Sequence, residues 1–252
     1  MKTKKIKRGM ALVCQITQAV MYWPTYFILK LIFNYSVEGQ ENLRGLEDGP
    51  IIFASNHGSW IDGPISAASM PRKNRRSLYP EDFFAVRFLI IEEYYKWNNP
   101  FPFPLNYIIG AYVRITGSIS VVRNKGHLDI VLAEPIKQLK SGEKIWIYPE
   151  GGMTKDGIFQ IDKGKRGTAY LQEATGAPIV PTAIIGNFKI LNLPKTFLNN
   201  TILRKKKLIV RMGKPLYLKK GTLEEKTDKI MAEIANLCNW GQEPFIQMHI
   251  VV

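Results

Sequence analysis

The sequence predicts an α/β fold: a mixed, largely parallel β-sheet flanked by helices, preceded by an N-terminal helical segment. Three observations predict it. Short apolar runs bounded by turn residues alternate with helical-period segments from about residue 50 onward, the pattern of strands separated by crossover helices. The chain has 252 residues and is 46% hydrophobic, enough for one sizeable core. Its head is set apart in composition, which divides the chain into a segment 1–36 and a main domain 37–252.

The head carries Lys2, Lys4, Lys5, Lys7 and Arg8 ahead of an uncharged stretch from Gly9 to Leu29. That length could span a bilayer. However, Gln15, Thr17 and Gln18 interrupt it, and Pro24 is expected to break it. The reading is one or two short helices lying in or against a membrane, with the basic head among anionic headgroups. A buried core helix with a frayed basic tail is the alternative.

Glu38 to Leu43 is polar and turn-prone. Pro50 to Ala54 reads as a fully buried strand that runs straight into Ser55-Asn56-His57. Ile61 to Met70 follows as a helix, ended by Pro71 and the basic loop 72–76. Phe83 to Val86 is a candidate strand, and the aromatic, proline-rich stretch 87–116 gives no clear element. Ile119 to Val122 is a short strand ending at Arg123, and His127 to Leu139 a helix. Lys144 to Tyr148 is a strand closed by Pro149-Glu150-Gly151-Gly152. Lys165 to Glu173 is a helix capped near Gly176. Ile179–Ile185 and Leu208–Met212 are strands, and Leu223 to Trp240 is the last helix.

Charge is lopsided, with 35 Lys and Arg against 21 Asp and Glu, a net +14. Such a surplus favours nucleic acid, anionic membrane or phosphorylated substrates, and composition does not choose among them. The two cysteines, Cys14 and Cys238, form no Cys-x-x-Cys. This argues against a disulfide framework or a cysteine-built zinc site, and fits a reducing compartment. The histidines are His57, His127 and His249, too few for a multi-histidine metal site to be expected.

Three blocks hold the residues suited to chemistry. His57 and Asp62 are five positions apart. On a regular helix they would point roughly 140° apart, so they meet only if the chain turns between them. A strand end, Gly58-Ser59 and a helix start supply such a turn, at the strand end where α/β sheets place their sites. A carboxylate on one imidazole nitrogen fixes the tautomer and leaves the other nitrogen as a base. The same spacing also fits a structural turn histidine with Asp62 as a first-turn carboxylate. The second block is Tyr148 to Thr154, where Glu150 and two glycines form a loop that a ligand could approach closely. An ordinary strand-ending turn would look the same. In the third, Gly117 to Arg123, a strand delivers an arginine, a natural phosphate clamp or a plain surface residue. Gly-x-Ser-x-Gly, the phosphate loop and the dinucleotide glycine pattern are absent. With no protein nucleophile beside His57, a base there would activate a substrate hydroxyl directly.

Taken together the blocks resemble the glycerolipid acyltransferase family, which includes the 1-acylglycerol-3-phosphate acyltransferases. The family's Asn-His-x-Ser-x-x-Asp core is matched by Asn56, His57, Ser59 and Asp62. Its Gly-strand-Arg motif is matched by Gly117 to Arg123, its aromatic-Pro-Glu-Gly turn by Tyr148 to Gly151, and its apolar Val-Pro motif by Pro178 to Pro181. The ordered set covers roughly residues 37 to 215.

The resemblance implies that His57 is the general base and Asp62 its orienter. Asn56, Ser59, Arg123, Glu150, Gly151, Gly152 and Lys165 are implied around the acceptor, and Pro181 along the acyl path. It also implies an acyl-CoA or acyl-carrier-protein donor, a lysophospholipid acceptor (1-acylglycerol-3-phosphate first), and a site on the cytoplasmic face of a membrane. No metal or redox cofactor and no nucleic acid are implied. One departure stands out. The third motif usually continues Gly-Thr-Arg-Ser, whereas this chain has Gly151-Gly152-Met153-Thr154. Either Arg123, Lys155, Lys163 or Lys165 replaces the missing cation, or the acceptor is another lysolipid or an aminolipid. A non-catalytic basic binding protein and a thioester hydrolase are the competing readings.

Overall fold

The computed structural model describes residues 10–71, 85–122, 127–154, 163–188 and 206–239. A seven-stranded mixed sheet forms its centre. The strands are β1 (Asn34–Glu38), β2 (Ile51–Ser55), β3 (Arg87–Ile91), β4 (Ile119–Val121), β5 (Lys144–Ile147), β6 (Ile179–Ile185) and β7 (Lys207–Met212). In space they run β1-β7-β6-β2-β5-β3-β4. All neighbours are parallel except β6 and β7. The fold class read from the sequence is therefore the one observed.

The helices are α1 (Met10–Ile32), α2 (Asp62–Ala68), α3 (Glu92–Tyr95), α4 (Leu105–Ile115), α5 (Leu128–Val131), α6 (Ala133–Lys140), α7 (Gly167–Thr175) and α8 (Leu223–Asn239). Central strands buried on both faces should be continuously apolar, and Ile51, Ile52, Phe53 and Ala54 of β2 are all fully buried. On one face Phe53, Trp146, Val180 and Ile184 pack against Leu29 and Phe33 near the end of α1 and Ile65 and Ala68 of α2. On the other, Ile52, Ile145 and Ile179 pack against Leu139, Leu171, Ile230 and Ile234 of α6, α7 and α8.

Several boundaries differ from the sequence reading. Pro24 does not break α1, which continues as one 23-residue helix. A proline removes one helical hydrogen bond, but the helix is anchored on both sides of it. Gln18 Nε2 donates to Thr116 O at 2.9 Å and Val86 O at 2.7 Å, and Leu29 is buried in the core. Among the described residues no helix is long and apolar enough to cross a membrane.

The expected helix 127–139 is two short helices that meet at Leu132. The strand expected at 83–86 begins instead at Arg87, and residues 83 and 84 lie outside the described set. β1 was not expected from the sequence. It pairs with β7 from Asn34↔Lys207 to Glu38↔Arg211, so position 36/37 falls inside a strand.

Candidate active site

Parallel neighbours bring their C-terminal ends to one edge of the sheet, and the crevice beyond that edge is where α/β folds place ligands. Here β6, β2 and β5 are adjacent and parallel. Their ends deliver Asn187, His57 and Glu150 respectively.

The end of β2 is fixed by Asn56. Its Nδ2 donates to Ile184 O at 2.9 Å and its Oδ1 accepts from Ile184 N at 2.7 Å. The amide thus extends the β2–β6 ladder by one side-chain rung, rather than lying open to a ligand. The chain then turns through Gly58-Ser59-Trp60-Ile61 into α2, whose first residue is Asp62. The turn places His57 Nδ1 at 2.9 Å from Asp62 Oδ2. Gly58 N and Ser59 N donate to the same oxygen at 2.8 and 2.9 Å, and Asn187 Nδ2 donates to Oδ1 at 2.9 Å. Asp62 is fully buried, whereas the His57 side chain is 20% exposed. A carboxylate wrapped by N–H donors stays an acceptor, so His57 carries its proton on Nδ1 and offers Nε2 as the basic nitrogen. Ser59 is buried in the turn, where Asp62 N donates to its carbonyl oxygen at 3.1 Å.

The end of β5 closes the site from the other side. The ring of Tyr148 stacks on that of His57 and is partly buried, with its hydroxyl oxygen out of contact with solvent. Burial, reinforced by the charge of Asp62, pushes its phenol well above the usual range. Thr154 ties the turn back to the histidine. Its N–H donates to His57 O at 2.7 Å, and its Oγ1 lies 3.0 Å from both that oxygen and Glu150 Oε2. Gly151 adopts φ +69°, the left-handed region that glycine tolerates. Lys165 N donates to Pro149 O at 2.8 Å, and a Cβ on Gly151 would touch Lys165 Cγ at 3.4 Å, so Lys165 lies along this turn. Gly152 continues the turn, and Met153 is exposed where the resembling family carries arginine.

One sequence candidate is not gathered here, and another cannot be placed. Pro181 is buried in β6, where its carbonyl accepts from Gly213 N at 2.8 Å. A Cβ on Gly213 would fall 2.9 Å from the Pro181 ring and 3.1 Å from Leu237, so the proline faces α8. Arg123 lies outside the described residues. The strand leading to it, β4, is the third strand from β2 at the sheet edge, roughly 14 Å away at about 4.8 Å per strand. Asn187 and the stacking role of Tyr148 were missed. The signal for Asn187 was its place just beyond a strand that parallels β2.

The model of the acyltransferase family matches residues 103–185, a span that includes the Tyr148–Gly151 turn but not His57 or Asp62. A chloroplastic 1-acyl-sn-glycerol-3-phosphate acyltransferase of Brassica napus is 26% identical over 224 residues, 84% of this chain and 56% of that protein. An N-acylphosphatidylethanolamine synthase of Arabidopsis thaliana is 30% identical over 173 residues, 66% of this chain and 56% of that protein. The chain thus spans about half the length of the curated relatives it matches. The crystal structure of the 1-acyl-sn-glycerophosphate acyltransferase of Thermotoga maritima shares the fold. Its TM-score is 0.60 at 20% identity, covering 91% of this chain and 81% of that one. On these matches the chain is similar to the acyltransferase family over residues 103–185 and to 1-acyl-sn-glycerol-3-phosphate acyltransferases along most of its length.

Proposed function

We propose that the chain moves a fatty acyl group from a coenzyme A or acyl-carrier-protein thioester to a hydroxyl of a lysophospholipid, with 1-acylglycerol-3-phosphate the first acceptor to try. The observation that carries this reading is the His57–Asp62 contact at 2.9 Å. His57 Nε2 takes the acceptor's hydroxyl proton as the oxygen attacks the thioester carbonyl. Asp62 steadies the imidazolium that forms, and the proton then goes to the leaving thiolate. The new ester C–O bond replaces the C–S bond, so the step balances with no metal or redox cofactor. Glu150, Gly151 and Lys165 border the place where an acceptor headgroup would lie. The relatives' names support the lipid acceptor, as does the surplus of basic residues.

A second acceptor class is favoured by two observations. The third motif lacks its arginine, and one relative is an N-acylphosphatidylethanolamine synthase. An aminolipid, acylated on nitrogen through the same base, is that alternative.

The test is transfer of a radiolabelled acyl group from acyl-CoA and acyl-carrier-protein to a panel of lysophosphatidic acid, neutral lysolipids and aminolipids, with His57→Ala as control. The reading expects transfer to a lysolipid hydroxyl and its loss, by about a thousandfold or more, in the variant. Undiminished transfer by His57→Ala would sink the base assignment. Acceptor-independent release of thiol would make the chain a hydrolase.

A further inference from the structure

We propose that Asn187 is a positioning residue for the His57–Asp62 pair, locking the carboxylate so that Oδ2 faces the imidazole. This rests on the acyl-transfer reading above and deepens it.

Three donors converge on Asp62 Oδ2: His57 Nδ1, Gly58 N and Ser59 N. All belong to the loop that carries Asp62 itself, which Thr154 ties to the β5 turn, and none of them reaches the carboxylate from another strand. Asn187 is different. It follows β6 and is 125 positions away in sequence. Among the described residues its Nδ2 is the one donor to Oδ1, at 2.9 Å. The amide is itself buried, only 4% exposed. Asn187 therefore sets the carboxylate against the frame of β6. An aspartate there would keep the shape but face one carboxylate with another.

Gly58 gives an independent sign of the same contact. A Cβ at position 58 would fall 2.8 Å from Asn187 Oδ1 and 2.9 Å from its Nδ2, closer than real Cβ contacts come. Glycine between His57 and Ser59 leaves the room that the asparagine amide occupies. The two residues form one device: Asn187 holds Asp62, and Gly58 admits Asn187.

The experiment compares wild type, Asn187→Ala, Asn187→Asp, Gly58→Ala and the double variant Gly58→Ala/Asn187→Ala. It uses two readouts. The first is kcat and the donor KM for transfer to the best lysolipid. Asn187→Ala should lower kcat roughly 10- to 100-fold, the scale of a misplaced catalytic group, with KM held within about twofold. Asn187→Asp should fall at least as far. It preserves volume, so it gives the answer if the alanine variant does not fold. Gly58→Ala should cost as much alone but nothing further on top of Asn187→Ala. The proposal is overturned by a kcat within about twofold of wild type, by a rise in KM alone, or by an equal Gly58→Ala effect in both backgrounds.

The second readout needs no turnover. The His57 Nδ1 proton resonance, shifted downfield by its carboxylate partner, should move upfield or vanish on exchange in Asn187→Ala. An unchanged resonance would refute the positioning role even if every lysolipid proved inert. Conversely, inert lysolipids with a shifted resonance would refute the acceptor assignment alone.

Discussion

The ring of Tyr148 lies flat against the ring of His57, with centroids 4.1 Å apart and planes 15° from parallel. The imidazole is thus fixed twice, along its edge by Asp62 and across its face by Tyr148. Among the described residues the Tyr148 hydroxyl has no hydrogen-bond partner of ordinary geometry, although it faces Ser66. The ring, then, is what the site uses. Tyr148→Phe should keep activity within about twofold and leave stability unchanged or slightly raised, since it removes a buried polar atom that gains little. Tyr148→Ala should cost on the order of 3 kcal/mol and lower kcat as well. Urea melts and initial rates on the two variants check this, and a large kcat loss in Tyr148→Phe would show that the hydroxyl matters after all.

Gly186 stands between β6 and Asn187 with φ +85°, and a Cβ there would lie 2.1 Å from Lys207 O. That oxygen is backbone of the neighbouring strand and has no side chain to swing away. Gly186→Ala should therefore cost on the order of 3 kcal/mol, combining left-handed strain with a forced shift of β7. Gly45→Ala is the control: φ is +82°, but nothing lies within 4 Å. It should cost only about 1 kcal/mol. Equal urea midpoints for the two variants would contradict the steric argument.

What the sequence made legible follows from where its signals were strong. β2, β5 and β6 are buried on both faces and read as apolar runs ended by Asn56, Tyr148 and Gly186. The chain therefore announced both the strands and the loops that carry chemistry. β1 escaped because only Tyr35 of Asn34-Tyr35-Ser36-Val37-Glu38 is fully buried, so no continuous apolar run marks it. It is an edge strand held by β7, whose paired residues lie 173 positions later in the chain. Pro24 misled because local propensity counts the lost hydrogen bond and not the tertiary anchors at Gln18 and Leu29. In the site, the spacing of His57 and Asp62 allowed a meeting only if the chain turned between them, and that turn is present. Asn187 was not foreseen, because a contact to Asp62 across that separation exists only once β6 lies beside β2.

Cys238 lies in the last turn of α8, within range of the charge of Glu150. Burial pushes the Cys238 thiol up to about 12, with the charge of Glu150 adding to the rise and that of Arg211 opposing it. The thiolate is the nucleophile, so a raised pKa means slow alkylation at pH 8.5. Glu150→Gln removes the second cause and should speed carboxamidomethylation of Cys238 severalfold. Cys14, raised to about 11 mainly by burial and with Arg87 opposing, has no Glu150 contribution and should be unaffected. Peptide-level mass spectrometry over a time course separates the two thiols. No change at Cys238 would place Glu150 elsewhere.

α1 is amphipathic in an inverted sense. Gln18 is buried against the domain, while Leu12, Val13, Ile16, Val20, Phe27, Ile28 and Leu31 are exposed. At about 100° per residue these exposed residues fall on one side of the helix. An exposed apolar stripe following Lys2, Lys4, Lys5, Lys7 and Arg8 is the pattern of a helix lying in a lipid interface. Phe27 and Leu31 are 62% and 80% exposed, so charging them leaves the core intact. The Phe27→Glu/Leu31→Glu double variant should keep its melting temperature within about 2 °C, because surface changes rarely exceed about 0.5 kcal/mol. Its partition into vesicles containing anionic phospholipid should nevertheless fall by at least about tenfold, since each buried apolar side chain is worth about 1.5–3 kcal/mol. Wild-type binding should also weaken between low and high salt, through the basic head. If the double variant sediments with vesicles as well as wild type does, the outer face of α1 is not what meets the lipid.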